Sequence, residues 1–215
     1  MLLPIGDDNS ERISFPVITW LLIAINVGVF LLEEQYGDAF VMHWSVIPLD
    51  FTTGLPPLQT LITAMFLHAG WAHLLGNMLY LFVFGDNVED RLGKLRYVVF
   101  YLLCGVIAFG AQIAVYPDSN VPNLGASGAI SGVLAAYLFL FPKNKVRVLL
   151  GWFVARINAW FVLGLWIATQ FFAGYGDLFH HAAHETGGVA YMAHIGGFIA
   201  GAVLLMVFKP KKQYI

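Results

Sequence analysis

The sequence predicts an all-α integral membrane protein, a bundle of six transmembrane helices with both termini cytoplasmic. Three observations carry this. The chain is 59% hydrophobic and 11% charged, whereas an ordinary soluble domain carries about 25% charged residues, and its mean hydropathy is +0.74. Six apolar runs approach the roughly 17–25 residues a spanning helix needs. The eleven Lys and Arg residues all fall on one side of the topology that those runs define.

In order, the runs cover residues 15–32, 71–84 with 58–67 as an extension, 97–115, 126–141, 155–173 and 189–208. The first follows a tail that has no basic n-region and no small-residue cleavage site, so it reads as a span and not a signal peptide. The second and fourth are short and hold polar residues near their starts. Arg12 lies in the N-tail; Arg91, Lys94 and Arg96 lie between runs two and three; Lys143, Lys145, Arg147 and Arg156 lie between four and five; Lys209, Lys211 and Lys212 lie in the C-tail. The intervening outer loops carry acidic residues instead, among them Glu33, Glu34, Asp38 and Asp118. The positive-inside rule then sets both ends in the cytoplasm. The organisation is an N-tail over 1–14, one core over 15–208 and a C-tail over 209–215. No repeat or appended domain interrupts it. Trp71, Tyr101 and Tyr191 sit near span ends and read as interfacial anchors. The one cysteine, Cys104, allows no internal disulfide. No motif points to nucleic acid, a nucleotide, a metal or another cofactor. His180 and His184 have helix spacing suited to a metal, but no H-E-x-x-H accompanies them.

Strongly polar residues at membrane depth need a reason, because they are costly there and usually functional. At ~1.5 Å per residue, Ser127 lies roughly 22 Å above the inner boundary at Pro142, and His194 lies the same distance above Lys209. His73 and Asn77 lie roughly 20 and 13 Å above Asp86 on the same scale. All four therefore share one depth band within a hydrocarbon core of ~30 Å. Gly128 with Gly132, and Gly197 with Gly201, form G-x-x-x-G pairs that let helix backbones approach. A close contact between runs four and six could bring the Ser127 hydroxyl to the His194 ring, as a nucleophile and its base require. Run four opens with Pro122-Asn-Leu-Gly, which is loop chemistry, so irregular backbone must dip below the surface into protein or a wet cavity. Free N–H groups at that helix start favour an anion. His73 and Asn77, four apart on one helix face, add donors for an oxyanion.

Each feature alone has a plainer reading. Gly-Ala-Ser-Gly fits helix packing, His194 fits an interhelical bond, and Ser131 fits a residue that bonds back to a carbonyl. Gly85, Glu89 and Gly93 fit close packing with a local anchor. The coincidence of depth favours chemistry. The rival is a non-enzymatic protein, a small transporter or a binding protein that uses the polar band as a path or site.

The residues resemble the rhomboid family of intramembrane serine proteases over nearly the whole chain. "FLHAGWAHLLGNM" (66–78) is similar to the family's second-span stretch, with His73 and Asn77 at its H-x-x-x-N positions. Gly85, Glu89 and Gly93 match G-x-x-x-E-x-x-x-G. "GASG" (125–128) matches the nucleophile motif at Ser127, and "AHIGGFIAG" (193–201) matches the general-base motif at His194. The resemblance implies the six-span rhomboid core and cleavage of peptide bonds in or near transmembrane segments of other membrane proteins. Ser127 is then the nucleophile, His194 the base, and His73, Asn77 and backbone N–H the oxyanion donors. Two departures stand out. Ser131 occupies the position where some members stack an aromatic under the histidine, and the first outer loop has Trp44 but no Arg. Runs four and six lack any acid, so nothing in them fixes the His194 tautomer. Water is expected from the outer side through a cavity among runs two, four, five and six. The last outer loop, 174–188, reads as a lid and run five as a lateral gate. The minimal core points to a prokaryotic cytoplasmic membrane.

Overall fold

The computed structural model describes residues 3–54, 56–180, 188–208 and 210. Its helices are α1 (Val17–Tyr36), α2 (Asp38–Trp44), α3 (Thr60–Thr63), α4 (Trp71–Leu92), α5 (Lys94–Val115), α6 (Ser127–Leu140), α7 (Ala159–His180) and α8 (Tyr191–Phe208). Three strands join them: β1 (Leu3–Gly6), β2 (Lys145–Leu150) and β3 (Phe153–Asn158). Among the described residues, α1, α5, α7 and α8 are long and apolar enough to cross a membrane. Large apolar side chains such as Leu31, Phe82, Phe172, Ile199 and Val203 are exposed on the outside of the bundle. In water so much exposed apolar surface would drive association, whereas in lipid it meets its own kind. The chain is a multi-pass membrane protein.

The centre of the bundle is α6. Every residue from Gly128 to Tyr137 is buried, and a helix apolar on all sides belongs inside. This explains its length. Fourteen residues reach only about 21 Å, short of a ~30 Å hydrocarbon core. Protein surrounds α6, and other segments complete it at both ends. Above it lies the irregular backbone of 119–126; below it lie Pro142 and the β2–β3 hairpin. Helices α5 and α8 flank it, and α7 packs more lightly on α8 and α6.

Three expectations change. Residues 58–67 do not lengthen the second run. They form α3 and a 3-10 turn (Ala64–Phe66) and are cut from α4 by Gly70 at φ +146°. The α4 helix instead extends inward to Leu92. Residues 155–158, read as the start of a span, are strand. Tyr101 is no interfacial anchor, because it is fully buried, whereas Trp71 is exposed. The sheet has order β1-β2-β3, antiparallel throughout. The N-tail thus pairs with the α6–α7 connection at one end of the bundle. The Arg96 guanidinium donates to the Phe208 carbonyl, which brings the start of α5 and the end of α8 together.

That same end is held by acidic residues of α4. Glu89 accepts from Ile18 N at 3.0 Å, Thr19 N at 2.7 Å and Thr19 Oγ1 at 2.8 Å, satisfying N–H groups that the start of α1 would otherwise leave bare. Gly85 lies under the Tyr97 hydroxyl, where a Cβ would come within 2.7 Å. Asp90 accepts from Ser14 N at 2.8 Å, and Asp86 pairs with Arg12. Asp7 accepts from Tyr137 Oη at 2.6 Å and Asn87 Nδ2 at 2.7 Å. Burial pushes the Asp7 carboxyl up to about 7 against these bonds, with help from the nearby Asp86.

Candidate active site

Ser127 is the first residue of α6, and no side chain caps that helix. The N–H groups of its first turn have no carbonyl one turn back to bond, as at any helix start. The backbone before it is irregular, and protein encloses it at Asn123, Gly125 and Ala126. Asn123 exchanges both backbone bonds with Val46, at 2.7 and 3.0 Å, and Gly125 N donates to Ala64 O at 2.8 Å. Gly125 has φ +120°, a conformation that disfavours any Cβ. A Cβ there would lie 2.8 Å from His73 Cε1, 2.9 Å from His73 Nε2 and 3.7 Å from Asn77 Nδ2. So the two α4 side chains press on the backbone two residues before Ser127.

Their donors are free to act. His73 Nδ1 accepts from Ala69 N at 3.3 Å, which leaves the ring proton of a neutral His73 on Nε2, the atom beside Gly125. Asn77 is buried and its Nδ2 has no hydrogen-bond partner among the described residues. A buried donor without an acceptor is expensive, and a transient oxyanion would satisfy it.

Glycines set the distance between α6 and α8. A Cβ on Gly197 would fall on the Gly128 carbonyl oxygen, and one on Gly201 on that of Gly132. Only backbone against backbone fits. Gln112 of α5 fixes the start of α8 by accepting from Ala193 N at 3.2 Å. His194 follows in the first turn, and its Nε2 lies 2.8 Å from Ser127 Oγ. Its Nδ1 lies 2.8 Å from Gln170 Oε1 of α7. An amide oxygen accepts, so Nδ1 carries the proton and Nε2 is left to accept from the serine. Trp166, one turn before Gln170, stands 5.9 Å from the His194 ring at 35°. Ser131 Oγ donates to Ser127 O at 2.7 Å, the back-bonding expected of it.

All four residues singled out in the sequence converge here. Gln170 and Trp166 do not follow from sequence depth, which compared only runs in one direction. The available signal was the Thr169-Gln170 pair inside an otherwise apolar run. A cleft of about 690 Å³ is lined by Glu33, Glu34, His68, Gly70 and Leu124 among others. It lies between the end of α1, α2, the start of α4 and the backbone before α6. Glu33 itself is buried in the last turns of α1, where it accepts from His68 N at 3.0 Å. The side chains of His180 and His184, and most of the expected lid, lie outside the described residues.

The Rhomboid domain profile matches residues 57–211. The chain is 30% identical over 195 residues to "Rhomboid-like protein 11, chloroplastic" of Arabidopsis thaliana, covering 87% of this chain and 64% of the relative. It is 29% identical over 193 residues to "Rhomboid protein 1, mitochondrial" of Saccharomyces cerevisiae, covering 86% and 51%. It is 33% identical over 133 residues to "Rhomboid protease GluP" of Bacillus subtilis, covering 60% and 26%. In each case this chain spans less than two thirds of the relative. Organelle and bacterial proteins both appear, so the similarity does not support the prokaryotic inner membrane read from the minimal core.

Proposed function

The chain belongs to the rhomboid family, and on that premise we propose that it is an intramembrane serine endopeptidase that cleaves transmembrane segments of other membrane proteins. The observation that carries this reading is the 2.8 Å contact between His194 Nε2 and Ser127 Oγ, made across two helices. The relative named as a protease supports it.

In this mechanism His194 Nε2 takes the Ser127 proton as Oγ attacks the scissile carbonyl. The Ser127 N–H, His73 Nε2–H and Asn77 Nδ2–H hold the oxyanion. His194 passes the proton to the leaving amine, and a water then releases the acyl group by the reverse route. Gln170 holds the His194 tautomer with a neutral amide in place of the carboxylate of the soluble triad, so turnover is slow. No metal or cofactor takes part. Helices α1, α4, α5, α6, α7 and α8 make six spans with both termini cytoplasmic; the basic residues support this, and so does the pairing of the N-tail with the α6–α7 hairpin. The lightly packed α7 serves as the lateral gate for a substrate helix.

The test uses the purified chain in detergent with a single-span model substrate and a serine-directed fluorophosphonate. Wild type should cleave and label, whereas Ser127→Ala and His194→Ala should do neither. Cleavage by Ser127→Ala sinks the mechanism. A wild type inert to every substrate and to the label favours a transport or binding role.

A further inference from the structure

The β2–β3 hairpin takes no part in the site, yet it carries Trp152, the most exposed aromatic among the described residues. Trp152 is 97% exposed and Phe153 79%. Both lie at the tip, where Gly151 at φ +60° turns the strands. Alternation along the strands assigns the faces. Val146 and Val148 are fully buried in the core of the helices. Their cross-strand partners are Ile157 and Ala155, and the next pair on the same face is Leu150 with Phe153. The sheet therefore lies across the end of the bundle, and its apolar face continues past the helices. Leu150 and Phe153 are exposed because the protein beneath them has run out. β3 runs directly into α7 (Asn158 to Ala159), so the hairpin lies at the level of that helix's start. Trp160 and Phe161, at the start of α7 and also exposed, mark the same level.

The opposite face is basic. Arg147 and Arg156 are direct cross-strand partners there, as are Lys145 and Asn158. Lys143 precedes them, and residues 141–158 contain no acid. Two like charges set directly opposite each other are destabilising; Asp8 of the N-tail feels the charge of Arg156, and both arginines stay exposed. An apolar face bearing Trp, Phe and Leu, backed by a Lys/Arg face, is the pattern of an element that lies in the plane of the interface.

We propose that the β2–β3 hairpin is an in-plane membrane anchor. Its tip residues Leu150, Trp152 and Phe153 lie against the acyl boundary, and Lys145, Arg147 and Arg156 bind anionic lipid headgroups. The inner end of α7 is thereby fixed at headgroup level. This does not depend on the protease reading.

The full chain, reconstituted in vesicles, tests it. Phe153→Cys and Val154→Cys each receive a polarity-sensitive fluorophore; Cys104 is fully buried, and the wild type reports any background labelling. The label at 153 should show blue-shifted emission and quenching by headgroup-proximal nitroxide lipids. The label at 154, on the other face, should be quenched more by aqueous iodide. Lipid quenching at 153 should be stronger with phosphatidylglycerol present than in phosphatidylcholine alone. Water-like emission from both labels in both vesicles overturns the anchor and leaves the tip to a soluble partner. Equal quenching at 153 in the two vesicle types overturns the anionic preference.

Discussion

Helix α4 uses its polar residues in two ways along its length. Over its last third, Asp86, Asn87, Glu89 and Asp90 all engage the N-tail or the start of α1. Over its first third, His73 turns Nε2 toward Gly125, and the Asn77 amide nitrogen has no partner among the described residues. Paired polar groups at a helix end hold elements together. In the proposed mechanism an open donor beside a helix N-terminus serves a charge that forms only during reaction. On that reading the same helix is a structural clamp at one end and an electrostatic device at the other.

Substitutions at the two ends should separate these roles. The largest effect on rate is expected at Asn77→Ala, which should lower kcat about 10²- to 10³-fold, as loss of one oxyanion donor does. Its thermal unfolding should be unchanged or improved, and a marked fall in Tm would make Asn77 a clamp too. At the other end, Glu89→Gln replaces an acceptor of three bonds with a group that itself donates, and should cost at least about 2 kcal/mol of stability. The folded fraction should keep its specific activity. Gln170→Leu should slow kcat about tenfold with little change in KM, because the base loses its preferred tautomer but not its position. An unaltered rate would assign ring orientation to Trp166 alone.

The smallest effect concerns Asp7. Its folded-state value of about 7 lies above the ordinary 3.8, so the fold retains a proton that the unfolded chain gives up. Stability should then fall as pH rises through that window and level off above it. Asp7→Asn should flatten the slope, as read by thermal unfolding at about pH 5 and about pH 8. A slope that persists unchanged in the variant would locate the titrating group elsewhere in the cluster.

Ser127, His194, His73 and Asn77 were legible in the sequence because polar residues in long apolar runs are rare and their depth follows from helical rise. Gln170 was not, since an amide near a span end carries no charge and its partner lies 24 positions away. The β2–β3 hairpin was also illegible. Its strands read as a basic loop followed by more apolar span, because alternation over six residues is weak beside a hydropathy signal that continues into α7.

By itself the sequence determined that the chain lives in a membrane and which rare polar residues interrupt its apolar runs, because composition and hydropathy are local quantities. The tertiary structure alone decided which polar residues meet. The His194–Ser127 contact exists because Gly197 and Gly201 let α8 lie backbone to backbone on α6. The His194 tautomer is set by an amide from a third helix. Both depend on how helices rotate and slide against each other, which only the packing of the whole bundle fixes.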